Sequence, residues 1–284
     1  MLLGLPVASA EPFDAPSSAP QAEVVPADPQ ACFQLARALL LGDGVPKDEK
    51  RAFELMKVAA DQGHADAIGG LGYFYSKGLI VPKDEKLAIE CFRKGAEKGS
   101  AKARLNLGKL LLDGKGDTTD PEAARVEGLQ WIGKAADQGL PEARLTHGII
   151  FYFGDHGQPQ DYKKAMIYLK PAAEAGIADA QNMLGSMYET GSGTPIDEAA
   201  ALQWYRKAAL QGHSRAQANL GMLMGPLVEN KETRIEALAW LLMASEQQQI
   251  TAEKTLADST PALKSGELDE ARKKQMELAK LLKK

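Results

Sequence analysis

The chain has 284 residues, of which 44% are hydrophobic and 25% are charged, a composition typical of folded proteins rather than disordered or collagen-like ones. Its 34 basic and 38 acidic residues give a formal net charge of -4. A nucleic-acid-binding surface requires a basic stripe across several elements with stacking aromatic residues or a reading motif, and the sequence contains neither. No apolar run approaches the roughly 20 residues that span a bilayer. We therefore expect no nucleic-acid partner and no transmembrane segment.

The N-terminus resembles the end of a secretory signal sequence. Four apolar residues precede the small residues Ala8-Ser9-Ala10, where signal peptidase would cleave. Residues 11 to 28 are rich in Pro, Ala and Ser and lack helical periodicity. We predict a flexible leader over residues 1–28 and a periplasmic or secreted protein. The alternative is a misassigned start or a plain disordered tail on a cytoplasmic protein.

From Asp28-Pro29 onward, a good helix N-terminus, the sequence repeats itself. An alanine-rich segment recurs before a closing glycine, and successive closing glycines are 36, 40, 37 and 36 residues apart: Gly63, Gly99, Gly139, Gly176 and Gly212. A second set has the same separations: Gly72, Gly108, Gly148, Gly185 and Gly221. Because two motifs share one register, we predict six units. They cover residues 29–64, 65–100, 101–140, 141–177, 178–213 and 214–249.

Each unit is predicted to be a helix, a Gly-rich turn and a second helix closed by a left-handed glycine. This pattern resembles the Sel-one-like repeat, a branch of the tetratricopeptide superfamily. Unit five carries nearly all of its residues: Ala180, Leu184, Gly185, Tyr188, Gly191, Gly193, Ala201, Trp204, Lys207, Ala208, Ala209 and Gly212. The resemblance implies an all-α fold, a right-handed superhelical solenoid of about six helix-turn-helix repeats. Residues 250–284 read as a short and a longer helix, which we expect to cap the stack.

A column of large residues in the second helices is predicted to form the core, facing alanine and glycine. Its members are Leu55, Cys91, Trp131, Tyr168, Trp204 and Trp240. Cys32 belongs to another column at the edge of the core face, with Ile68, Arg104, Arg144, Gln181 and Gln217. Free thiols are expected, although export would permit a bridge between Cys32 and Cys91.

The four histidines suggest no catalytic or metal centre. His64 and His213 follow closing glycines and read as loop residues, while His147 replaces a core leucine and should be packed in the interior. His156 has Asp155 beside it but no second ligand nearby, whereas a metal site needs three or four. The Gly-x-Gly loops recur in a chain without a convincing strand, unlike a dinucleotide fingerprint. We expect no catalytic residue, metal or cofactor.

The first helices carry a stripe opposite the predicted core face that is apolar in units one to four and polar in unit five (Asn182, Ser186, Glu189). In the superfamily that the repeats resemble, this face lines an inner groove that binds peptides. A contiguous apolar surface tends to mark an interaction site. Alternatively, the stripe is buried by a tightly wound superhelix or by the leader. The predicted protein-binding residues are Phe33, Tyr73, Leu105, Leu112, Leu145, Ile149 and Tyr152, with Leu40 beside them.

These observations favour a non-enzymatic scaffold or adaptor that holds an apolar peptide or partner helix in the groove of units two to four. One alternative is a cell-wall-related enzyme or penicillin-recognising protein built on the same repeats. Another is a permanent structural subunit of an envelope complex.

Overall fold

A computed structural model of the protein describes residues 25–115, 120–226 and 228–282. Within these residues the chain forms fourteen α-helices and one 3-10 helix, with no β-strand. The predicted cleavage site at Ala10 and most of the leader lie outside the described residues. The expected all-α fold is confirmed.

The helices alternate between a first and a second helix in each unit. The first helices are α1 (Pro29–Leu41), α3 (Ala65–Lys77), α5 (Ala101–Leu112), α7 (Pro141–Phe153), α9 (Ala178–Thr190) and α11 (Ser214–Met224). The second helices are α2 (Glu49–Asp61), α4 (Glu85–Glu97), α6 (Pro121–Asp137), α8 (Tyr162–Glu174), α10 (Glu198–Ala209) and α12 (Lys231–Glu246). The chain ends with α13 (Ile250–Ser259), the 3-10 helix Thr260–Ala262 and α14 (Glu267–Leu282). Each first helix packs on its second helix, and each second helix packs on the next first helix, as in a solenoid.

Recurring residue types explain where the helices begin and end. In units one to five an aspartate carboxylate caps the second helix, as Asp48 does by accepting the N–H of Arg51 at 2.9 Å. The closing glycines have φ values between 83° and 102°, in the left-handed region, as predicted. Unit two departs from the pattern because Ile80, where other units have glycine, adopts a φ of 62°. A β-branched side chain is strained there.

The core column of the second helices differs from the predicted one. Leu55 and Trp240 are fully buried as expected, but the other four members are only half-buried: Cys91, Trp131, Tyr168 and Trp204. In those units the following residue fills the core instead: Phe92, Ile132, Leu169 and Tyr205. The cause is the glycine of the first helix, which allows the closest approach. A Cβ on Gly108 would lie 2.6 Å from Ile132 Cγ1, so the helices meet at that residue.

The column that begins at Cys32 ties neighbouring units together. The side chain of Arg104 donates from Nε to the carbonyl of Ala96, at the end of the preceding second helix, at 3.1 Å. Arg144, Gln181 and Gln217 each donate in the same way to the carbonyl eight residues before them. Each of these carbonyls also accepts a backbone N–H three residues further along, as Ala96 does from Gly99 at 3.1 Å, so the side chain binds to the second acceptor position of the same oxygen. Cys32 is fully buried, and both cysteines are free thiols.

The C-terminal helix α14 packs on α12, where it covers Trp240 with Leu278. A buried ion pair joins the two helices, because Arg234 Nη2 lies 2.6 Å from Glu267 Oε1. Glu267 also accepts the backbone N–H of Lys264 at 2.9 Å. The hydrogen bonds from Arg234, followed by that backbone bond, lower the pKa of the Glu267 carboxyl. The pair therefore fixes where α14 begins on the stack.

Candidate protein-binding grooves

The structure places residues of the predicted apolar stripe in two grooves. The N-terminal groove lies on α1, α3 and α5, has a volume of about 750 Å³ and contains Phe33, Leu40 and Tyr73. The C-terminal groove lies on α7, α9 and α11, has a volume of about 550 Å³ and contains Ile149 and Tyr152. The groove predicted over units two to four overlaps both of these, and its role in binding stays a prediction.

Between the residues that line the two grooves, one member of the predicted stripe belongs to the core. Leu105 is only 6% exposed and packs in a cluster with Ile132, Ala143 and Ile150. Leu112 is half-buried against the same cluster, and Leu145 is half-buried against the core of the following unit. Leu105 is therefore mostly covered by core residues, and it lines neither groove.

The N-terminal groove has an apolar floor and an accessible aromatic ring. Phe33 stacks on the imidazole of His64, with ring centroids 4.8 Å apart. Met56 and Leu79 extend the apolar lining. The side chain of Tyr73 is 39% exposed at the groove, although the rings nearby are packed. The groove thus presents apolar surface to solvent at a concave site.

The charges around the N-terminal groove are unevenly paired. Lys47 forms an ion pair with Glu49 at 2.6 Å, and the Asp66 carboxylate accepts a hydrogen bond from Ser100 Oγ at 2.5 Å. Two further cations line the groove, Arg37 and Lys102, and both are exposed. The groove therefore contains three cationic and two anionic side chains, and its net positive charge favours an anionic neighbour.

The C-terminal groove combines an aromatic wall with polar side chains. Tyr152 and Phe153 form the wall, with ring centroids 4.9 Å apart, and Phe153 is 64% exposed. On the opposite side, Asn219 Nδ2 donates to Asn182 Oδ1 at 3.0 Å. The sequence pattern placed Asn182 among the polar residues of unit five but gave no reason to single out Asn219. A signal exists for Asn182 alone, which is a polar residue at a position that is apolar in the other units; the position of Asn219 is also polar in units one, three and four.

Comparison with known proteins accounts for the repeat architecture. The family model of the Sel1 repeat matches residues 29–64, 65–100, 101–140, 141–177, 178–213 and 214–248. The chain belongs to the Sel1 repeat family. The predicted resemblance is confirmed, because the family model finds the repeats in the register given by the glycine spacing.

Other Sel1 repeat proteins share much of the sequence and the fold. An uncharacterized protein of Neisseria meningitidis is 28% identical over 81% of this chain and 45% of its own length. The rat protein named DAP3-binding cell death enhancer 1 is 34% identical over 74% of this chain and 41% of its own length. The chain thus spans less than half the length of these relatives. The crystal structure of a Sel1 repeat protein from Oxalobacter formigenes is 31% identical, with a TM-score of 0.62 over 76% of this chain and 85% of that one.

Two histidines of the Sel1 repeats turn out to be helix caps. His64 and His213, predicted as loop residues, begin α3 and α11 and accept a backbone N–H at Nδ1. Their Nε2 atoms reach the start of the preceding first helix, where His213 Nε2 lies 3.0 Å from Asp179 Oδ1 and His64 Nε2 lies 2.7 Å from Gln30 Oε1. Each histidine therefore caps one helix and joins two units.

His147 lies in an aromatic cluster, as its place in the repeat predicts. Its ring centroid is 4.4 Å from that of Tyr168 and 4.9 Å from that of Phe151. Burial lowers the pKa of His147, and the nearby Asp137 partly opposes this effect. His156 lies in a loop with a φ of 50°. Across the described residues, no group of three His, Cys, Asp or Glu side chains is placed to hold a metal ion, and no helix is long and apolar enough to cross a membrane.

Proposed function

We propose that the protein is a non-enzymatic scaffold that binds a segment of a protein partner in its N-terminal groove. The observation that carries this proposal is the open apolar lining formed by Phe33, Leu40 and Tyr73 on neighbouring first helices. An accessible apolar patch inside a concave site tends to mark an interaction surface, because burying it removes apolar area from water. Repeat scaffolds offer such surfaces along the stack.

The chemistry of the groove also indicates what kind of segment would fit. Apolar or aromatic side chains would pack beside the Tyr73 ring, where the floor is closed by Met56 and Leu79. Arg37 and Lys102 lie along the same groove and would attract carboxylates next to those side chains. The segment we propose is therefore apolar with flanking Asp or Glu residues.

The relatives support an interaction role in general terms. The rat relative is named for binding DAP3, and a Schizosaccharomyces pombe relative, 28% identical over 69% of this chain, is named chitin synthase regulatory factor 3. Both names describe proteins that act on or through other proteins. The proposal takes from these relatives an interaction role and not a particular partner.

An affinity experiment with matched variants tests the proposal. Proteins captured by the purified chain from its native host would be identified, and the binding of each purified candidate would be measured for wild type, Tyr73→Glu and Ile167→Glu. Ile167 is 66% exposed on α8 and lines a separate cavity of about 570 Å³ with Met166 and Pro171 rather than either groove, which makes it a control for apolar surface elsewhere on the molecule. We expect Tyr73→Glu to weaken binding at least tenfold, because burying a carboxylate in an apolar site costs several kcal/mol, of order 2 or more. Ile167→Glu should bind as wild type.

Circular dichroism and the urea midpoint must first show that the three proteins are equally folded. Equal binding of one partner by wild type and Tyr73→Glu would contradict the proposal. So would a loss caused by Ile167→Glu and not by Tyr73→Glu.

A further inference from the structure

The boundary between units three and four contains a titratable side chain at a position that is aliphatic in the other units. His147 occupies this position in α7, and its ring lies against those of Phe151 and Tyr168, with centroids 4.9 and 4.4 Å away. The corresponding residues of the other units are all leucine: Leu35, Leu71, Leu107, Leu184 and Leu220. An ionisable ring therefore replaces an aliphatic residue at one boundary of the stack.

The Nδ1 atom of His147 lies in the contact between α7 and the preceding helix α6. A Cβ on Gly133 of α6 would be 3.4 Å from Cε1 and 4.0 Å from Nδ1 of the ring. Nδ1 is fully buried and has no hydrogen-bond partner among the described residues. A neutral imidazole can leave this nitrogen without a proton, whereas a protonated imidazole carries an N–H on both nitrogens. Protonation would thus place a donor without an acceptor between the two helices.

The charged groups around the ring do little to offset this cost. Burial lowers the pKa of His147, and the Asp137 carboxylate of α6 opposes the effect only in part. On α8, burial raises the pKa of Tyr168, so its hydroxyl stays neutral in mild acid. Lys164 and Arg144 lie one turn before Tyr168 and His147 along their helices, and both are cations. Asp137 is thus the one group among these that favours a charged imidazole.

We propose that the boundary between units three and four is a pH-sensitive joint, in which protonation of His147 separates α6 from α7 while the other boundaries stay closed. Separation would let water accept the new N–H of Nδ1, and Gly133 leaves room for that water because it has no side chain. Protonation of a histidine within a packed contact can open that contact in mild acid.

The joint lies between the two grooves. The N-terminal groove is lined by residues of units one to three, and the C-terminal groove by residues of units four to six together with Gln249. Opening the joint would therefore release one groove from its fixed position relative to the other. This inference concerns the stack itself and does not depend on what either groove binds.

Hydrogen–deuterium exchange of the full chain, followed by mass spectrometry at pH 8 and pH 5, tests the proposal. The measured rates would be divided by the intrinsic exchange rates at each pH, so that only protection by the structure is compared. We expect protection in α6 and α7 of wild type to fall about tenfold at pH 5, the size expected for one buried N–H without an acceptor. Protection in α4 and α5, which contain no histidine, should change less than twofold.

Two variants decide whether His147 causes the change. His147→Leu restores the residue of the other units and should keep its α6 and α7 protection when the pH falls. His156→Asn is the matched control, because it removes a histidine from the loop that follows α7 and asparagine suits the positive φ of that position. This variant should lose protection at pH 5 as wild type does.

Three results would overturn the proposal. Equal protection of α6 and α7 at both pH values in wild type would show that the boundary does not open. A fall of the same size in His147→Leu would assign the effect to another group. An equal fall in α4 and α5 would show that acid loosens the whole stack rather than one joint.

Discussion

At the scale of single residues, His147 shows how one substitution within a repeat creates a pH-sensitive packing site. It stands where most units have leucine, and its ring lies against Phe151 and Tyr168. Its Nδ1 atom is buried without a hydrogen-bond partner. Protonation would therefore place a positive charge among aromatic rings. The Asp137 carboxylate favours the protonated form, but burial outweighs its effect. This is why burial lowers the pKa of His147 in the folded protein.

The lowered pKa predicts a direction for stability against pH. Below pH of about 6.5 the unfolded chain binds a proton at this histidine that the folded chain resists. The contribution of His147 is therefore complete above that pH and is lost as the pH falls towards the folded pKa. We expect the urea midpoint of wild type to fall more between pH 8 and pH 5 than that of His147→Leu. His156→Asn, a loop substitution that suits the positive φ, should parallel wild type. Equal slopes for wild type and His147→Leu would contradict the account.

At the scale of helices, the contact between the two helices of a unit depends on a glycine with no room for a side chain. A Cβ on Gly108 would lie 2.7 Å from the backbone oxygen of Gly128 and 2.6 Å from Ile132 Cγ1. A backbone atom cannot move aside as a flexible side chain can. By contrast, Gly133 in α6 has room for a side chain, because a Cβ there would meet only the ring of His147, at 3.4 Å.

The same substitution should therefore have opposite effects at these two glycines. Gly108→Ala should destabilise the protein by about 1–3 kcal/mol, because it forces α5 and α6 apart. Gly133→Ala should be neutral or stabilise it by up to about 1 kcal/mol, since alanine has the higher helix propensity. Urea denaturation of both variants measures the difference. A loss at Gly133→Ala as large as that at Gly108→Ala would show that the close approach is not what selects glycine.

The spacing of the repeated glycines made the fold predictable. The column that contains the tryptophans was the wrong choice of core residues in units two to five. Spacing alone fixes which helices pair, because each unit repeats the same closure and the same close approach. It does not fix how each second helix is rotated, and a shift of one residue turns a helix by about 100°. Trp131 and Trp204 are therefore half-buried at the boundary between units, with Lys134 and Lys207 over their rings, while Ile132 and Tyr205 fill the core.

The candidate site was predictable only in part for the same reason. Phe33, Tyr73, Ile149 and Tyr152 reach the grooves as expected. Leu105 occupies an equivalent position in the sequence but is buried in a cluster with Ile132 and Ile150. The pairing of Asn182 with Asn219 joins two units and appears only when they are stacked.

At the scale of the whole molecule, one stack carries two chemically different grooves. The first is apolar with cations beside it, and the second has an aromatic wall facing a pair of amides. Because each unit contacts mainly its neighbours, a change in one groove should leave the other intact. A scaffold with two such grooves could hold two segments of one partner, which raises the effective concentration of the second contact.

The most direct test of the central claim is photo-crosslinking from the N-terminal groove in living cells. Tyr73 would be replaced by the photoreactive amino acid benzoylphenylalanine, and Ile167 on α8 by the same residue as the control. We predict that irradiation joins a protein partner to position 73 and not to position 167, and that the crosslinked peptide of the partner contains apolar residues flanked by Asp or Glu. Crosslinking of the same partner from position 167 and not from position 73 would contradict the assignment of the groove.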